Sequence, residues 1–156
     1  MISVRVYGIL INEQNQILVS DELIKGSKIT KFCGGGLEQG EGTIDCLKRE
    51  YKEEMNLEIE VLEHFYTTDF YQVSSFNSAH QIISIYYKVK PLEPFKIKLK
   101  TIPFDFDETQ LKAYKNYPQV ESFRFINLKE FEESNMTLPI DKIVANLIKS
   151  KTKINL

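Results

Sequence analysis

Apolar residues recur along this chain with two different periods. Residues 3–12 are dense in Val, Ile, Leu and Tyr, Glu13-Gln14-Asn15-Gln16 interrupts them, and 17–19 resume the apolar run. That pattern predicts a strand, a polar turn and a second strand. Residues 28–32 predict a short third strand that delivers the chain into three consecutive glycines. From 43 to 56 the period changes, because Ile44, Leu47, Tyr51 and Met55 stand three and four apart and form one stripe of a helix. Residues 57–72 read as extended, and 81–90 (QIISIYYKVK) form the most β-prone run of the chain. A further strand is predicted at 120–127, a short helix at 128–133, and a terminal helix at 139–149 with Pro139 near its first turn.

Residues 91–118 do not fit either period. Prolines, the alternating lysines of FKIKLK and the acidic FDFDET predict a long connection holding at most an edge strand. There is no internal repeat and no low-complexity tract. Strands interleaved with helices predict an α/β or α+β sandwich, one principal mixed sheet between helices.

Composition narrows the class without naming a chemistry. A chain of 156 residues, 42% hydrophobic and 27% charged, is expected to form a single globular domain, 1–156, with a substantial core. A formal net charge of -2 gives no electrostatic case for wrapping a nucleic-acid polymer, and the cluster Lys149, Lys151, Lys153 reads as a solvated tail. The start, Met1-Ile2-Ser3-Val4-Arg5, lacks the features of a secretory signal, and no apolar run would span a bilayer, so the expectation is the cytoplasm and no membrane. Cys33 and Cys46 are the only cysteines and have no zinc-like spacing, so neither a disulfide framework nor a zinc site is expected.

The chemistry concentrates in residues 32–57, FCGGGLEQGEGTIDCLKREYKEEMNL. Gly34-Gly35-Gly36 has two readings, a tight turn between strand and helix or a backbone cradle for phosphate or metal. A Walker loop is excluded because no Lys-Ser/Thr follows, and GGGLEQGEG does not supply a dinucleotide fingerprint. Glu50, Glu53 and Glu54 share one side of a helix, where like charges oppose each other by a few tenths of a kcal/mol per pair. A bound cation would offset that repulsion, and hard divalent cations take oxygen ligands of this type. The alternative is a solvated acidic helix face.

At this point the sequence resembles the Nudix hydrolases, the MutT-like pyrophosphohydrolases. Their box is written G-x5-E-x7-R-E-U-x-E-E-x-G-U, with U bulky and apolar, and Gly35, Glu41, Arg49, Glu50, Tyr51, Glu53, Glu54 and Leu57 fall at its positions, so the box covers about 35–57. Asn56 stands where the family has glycine, and asparagine is the next most tolerant residue at a left-handed helix end. Cys33 replaces the proline that often precedes the glycines. The resemblance implies a Nudix-like α/β/α sandwich with a mixed central sheet, the box forming a loop-helix-loop.

It also implies hydrolysis of the diphosphate bridge of a nucleoside diphosphate linked to another moiety, with Mg2+ or Mn2+ as cofactor. Glu50, Glu53 and Glu54 match the metal ligands, the carbonyl of Gly34 is a further candidate, and Gly34, Gly35, Gly36 and Glu41 form the loop that meets substrate. Arg49 is expected to pair with Glu53 one turn on, and Glu41 to organise the loop as an acceptor. The general base varies within the family, which leaves Glu121, Glu108, Asp107 or Glu53 itself. His64 and His80 read as structural, and Cys46 as a packed side chain. Phe70, Tyr71, Phe76, Phe104 and Phe106 are candidates for stacking on a nucleobase or for simple packing. Gln72 and Val73 stand where an ADP-ribose subfamily carries proline, which weakens that substrate. The partner implied is a nucleotide-type small molecule, with a homodimer left open. The competing class is a non-catalytic Nudix-fold nucleotide-binding or sensor module, which has no need to keep all three carboxylates.

Overall fold

The structure, a computed structural model, describes residues 1–154, with side chains through 151. Seven strands and three helices are present among them, in the order β1 (Ile2–Leu10), β2 (Gln16–Ile24), β3 (Ser27–Lys31), β4 (Cys33–Gly36), α1 (Thr43–Met55), β5 (Ile59–Thr67), β6 (Gln81–Pro91), α2 (Glu108–Asn116), β7 (Gln119–Asn127) and α3 (Pro139–Ile154). The backbone divides into two compact units, Met1–Asn12 with Cys33–Ile97, and Glu13–Phe32 with the chain from Lys98 onward. The fold class is α/β with a mixed sheet.

The first unit carries that mixed sheet in the order β4-β1-β6-β5. β1 runs parallel to β6, from Ile2 opposite Gln81 to Leu10 opposite Val89, and antiparallel to β4, from Arg5 opposite Gly36 to Gly8 opposite Cys33. The glycine run is therefore an edge strand, where a loop was expected. Gly34 shows why glycine is needed there: its φ is 149°, and a Cβ would strike the backbone of Val6 and Tyr7. Helix α1 packs on the face of the sheet that carries Gly8 and Gly35. Its buried stripe is Cys46, Leu47, Tyr51 and Met55, and Ile44 is exposed, so the stripe begins two residues later than its apolar spacing suggests.

The second unit holds an antiparallel sheet in the order β3-β2-β7, so two sheets replace the single principal sheet expected. β2 continues to Ile24, well past the apolar run at 17–19, because Ser20, Asp21 and Glu22 are buried in the middle of it with cross-strand partners. Asp21 accepts hydrogen bonds from Arg124 at 2.6 and 3.2 Å and from the Thr30 hydroxyl at 2.7 Å. The connection at 91–118 contains α2, a helix with no buried residue, opened by a reciprocal cap between Asp107 and Gln110. In place of the short helix expected at 128–133, residues 128–130 form a turn and a 3-10 turn stands at Glu133–Asn135. Helix α3 buries Ile140, Val144, Ala145 and Ile148, with period 3.6. It runs through the lysine cluster read as a tail: Lys149 donates to the Leu128 carbonyl at 2.8 Å, and the side chain of Lys153 lies outside the described residues. Among the described residues no helix is long and apolar enough to cross a membrane.

Candidate active site

Helix α1 begins at Gly42, whose carbonyl accepts the Cys46 N–H at 2.9 Å, and ends at Asn56. Asn56 takes φ 51° and ψ 41°, the left-handed conformation expected, and its N–H returns to the Lys52 carbonyl at 2.9 Å. These caps fix which residues face the glycine strand. Arg49 does, and its guanidinium fans across Glu41, Glu50 and Glu53.

Arg49 Nε and Nη2 donate to the two oxygens of Glu41 at 3.0 and 2.6 Å, and Nη1 donates to Glu50 at 3.0 Å and to Glu53 at 3.2 Å. Nη2 also donates to the Gly36 carbonyl at 3.1 Å. The pairing with Glu53 is thus the outermost of several, since Glu53 is 58% exposed and Glu41 and Glu50 only 15% and 14%. Glu38, which the motif does not include, joins at 3.7 Å from the solvent side.

Glu41 ties the loop to the helix, because it also accepts the Glu38 N–H at 2.9 Å. The Arg49 hydrogen bonds, aided by that N–H, hold its carboxyl down to about 2. The same contact with Glu41 raises the Arg49 guanidinium above its ordinary range. Cys46 lies beneath: burial first, then the charge of Glu41, push its thiol up to about 12, so it stays a protonated packing group.

Gly35 explains the position of Glu50. A Cβ at Gly35 would overlap the Glu50 carboxylate, so the bare Cα is the cradle that lets this carboxylate reach the strand.

The remaining sequence candidates are placed elsewhere. Asp107 caps α2, accepting the Gln110 N–H at 2.8 Å, and Glu108 is exposed in the first turn of the same helix. Glu121 lies inside β7, directly opposite Glu22 of β2, where its carboxylate accepts the Ser20 hydroxyl and stands 3.5 Å from Lys31 Nζ. All three belong to the second unit. Ser20 and Lys31 escaped the sequence reading because only the pairing of β2 with β3 and β7 puts them beside Glu121. His64 bonds Thr67 at 2.7 Å and packs edge-on to Tyr87, and His80 meets Asn77 at 3.4 Å. Phe70, Tyr71 and Phe76 are exposed, whereas Phe104 packs on Phe106 with Lys28 over its ring.

The sequence model described as the NUDIX domain matches residues 1–147, which takes in both units. The chain belongs to the Nudix family. Membership makes its enzyme class that of the Nudix pyrophosphohydrolases. Solved structures agree in fold. A Nudix hydrolase from Nitrosomonas europaea superposes with TM-score 0.65 at 14% identity, over 95% of this chain and 90% of that one. The MutT protein of Methanosarcina mazei Go1 gives 0.64 at 13%, over 97% and 95%. An ADP-ribose pyrophosphatase from Streptococcus suis 89-1591 gives 0.53 at 13%, over 92% and 88%. No curated protein matches the sequence.

The Nudix box residues of this chain fit a hard divalent cation. Glu50, Glu53 and Glu54 offer oxygen donors on one side of α1, with no imidazole among them, and the bare Cα of Gly35 leaves room for the Glu50 carboxylate, which a Cβ there would displace. Among the described residues no three His, Cys, Asp or Glu side chains already converge to hold an ion. Arg49 Nη1 instead draws Glu50 and Glu53 to itself and serves as their counter-charge.

Proposed function

We propose that this Nudix protein hydrolyses the diphosphate bridge of a nucleoside diphosphate linked to another moiety, in a divalent-cation-dependent reaction. The observation that carries the reading is the Arg49 fan, which holds Glu41, Glu50 and Glu53 against the Gly36 carbonyl. Glu50, Glu53 and Glu54 would hold Mg2+ or Mn2+. Such a cation, when bound, neutralises diphosphate charge and lowers the pKa of a bound water. Arg49 keeps Glu41 ionised and orients Glu50, while Glu41 locks the loop between β4 and α1 so that the backbone beside the substrate phosphates is fixed.

Glu53, the most exposed of the motif carboxylates that Arg49 holds, is the general-base candidate within the box; of the others, Asp107 is engaged as a cap and Glu121 by Ser20 and Lys31. The chain is read as a single Nudix domain, 1–156, because the family match runs across both units. The substrate is a nucleotide-type small molecule, and two buried free thiols suit the cytoplasm.

A magnesium-supported screen of nucleoside triphosphates, ADP-ribose, dinucleoside polyphosphates and nucleotide sugars, read by product analysis, tests the reading. Glu54→Gln should lower turnover on the best substrate by several orders of magnitude with little change in melting temperature. Near-wild-type turnover in that variant would refute the assignment of Glu54. No hydrolysis of any class by the wild type would favour a binding module.

A further inference from the structure

Tyr51 stands between Glu50 and the Glu53-Glu54 pair, and none of the roles above uses it. Its side chain is fully buried on the sheet-facing side of α1. The ring lies over Gly8 of β1, where a Cβ would collide with the phenol oxygen and approach Cε1 and Cζ to 3.0 Å. Glycine at position 8 therefore makes room for an aromatic residue that carries a polar end.

That polar end has no hydrogen-bond partner among the described residues. An unmatched buried hydroxyl is destabilising, and phenylalanine would fill the same space without it. Glu54 lies three residues further along and hence on the same side of the helix, and one oxygen of its carboxylate is buried as well. A phenol donates a hydrogen bond under ordinary conditions.

We propose that Tyr51 is a positioning residue for Glu54: when the divalent cation binds, the unmatched O–H turns to one carboxylate oxygen and directs the other towards the cation. The inference rests on the reading of Glu54 as a cation ligand. Carboxylate ligands are commonly held by such a donor, and losing it typically weakens metal binding by about 10- to 100-fold.

Manganese titration by calorimetry tests it on wild type, Tyr51→Phe, Glu54→Gln and the double variant, with thermal melts of each in chelator. Tyr51→Phe should bind manganese about tenfold or more weakly while melting no lower than wild type, since only an unmatched hydroxyl has gone. In the Glu54→Gln background the same change should add nothing. Equal affinity of wild type and Tyr51→Phe, with Glu54→Gln weakened, would overturn the role of Tyr51 and leave the cation site standing. An additive loss in the double variant would show that the phenol acts other than through Glu54, and would also overturn it. A markedly lower melt of Tyr51→Phe in chelator would make the hydroxyl structural. No binding by the wild type would overturn this inference and the cation reading together.

Discussion

Replacing Arg49 with alanine removes the cation that links Glu41, Glu50 and Glu53, and the cost can be worked from its contacts. Charge-assisted hydrogen bonds contribute roughly 1.5–3 kcal/mol each when well buried. The guanidinium is 23% exposed and Glu41 and Glu50 about equally sheltered, so a discount for solvent screening leaves about 1.5 kcal/mol for the doubly bonded Glu41 and about 1 kcal/mol for Glu50. Glu53 is 58% exposed and adds only about 0.4 kcal/mol, as an ordinary pair one helical turn apart. The sum is about 3 kcal/mol, which corresponds to a fall in Tm of about 6–12 °C for a domain of this size. Thermal melts in chelator measure it. Excess magnesium should restore part of the loss, because a cation at the carboxylates again offsets their repulsion. A Tm for Arg49→Ala within about 2 °C of wild type in chelator, under 1 kcal/mol by the same scale, would refute the idea that this fan organises the site.

Glu41 makes the same network depend on pH. Its carboxyl is held near 2 in the folded chain against an ordinary 4.5, so its contribution to stability is complete above 4.5 and is lost as the pH falls towards about 2. Urea unfolding through that window should show the wild type converging on Glu41→Gln, and a constant gap between the two would contradict the assignment. Asn56→Gly should change stability by less than about 1 kcal/mol and in the favourable direction, since glycine occupies φ 51° more readily than asparagine does. Denaturant titration measures this, and a clear loss would mean that the asparagine side chain makes a bond that the helix end needs.

The box was legible in the sequence because its parts are local. Arg49, Glu50, Glu53 and Glu54 are brought to one side of α1 by helical spacing alone, and Asn56 occupies the left-handed cap that its place in the pattern requires. Helix α2 was legible too, though missed: Asp107 followed three residues later by Gln110 is the signature of a reciprocal cap, obscured by the prolines and acidic residues around it. It has no buried stripe, so periodicity gave no help.

What lay beyond the sequence is everything fixed by pairing distant strands. Gly34-Gly35-Gly36 cannot be told from a loop until β4 is laid against β1, where Gly34 meets the Val6 and Tyr7 backbone and Gly35 makes way for Glu50. Ser20, Asp21 and Glu22 look like the polar end of a strand, yet the partners supplied by β3 and β7 keep them buried at its centre. Gly8 and Tyr51, 43 positions apart, acquire a relation only when α1 packs on β1. Helix period and caps depend on interactions within four or five residues and are written in order along the chain. Sheet register and the close approach of helix to sheet depend on residues tens of positions apart, and the tertiary structure alone decides them.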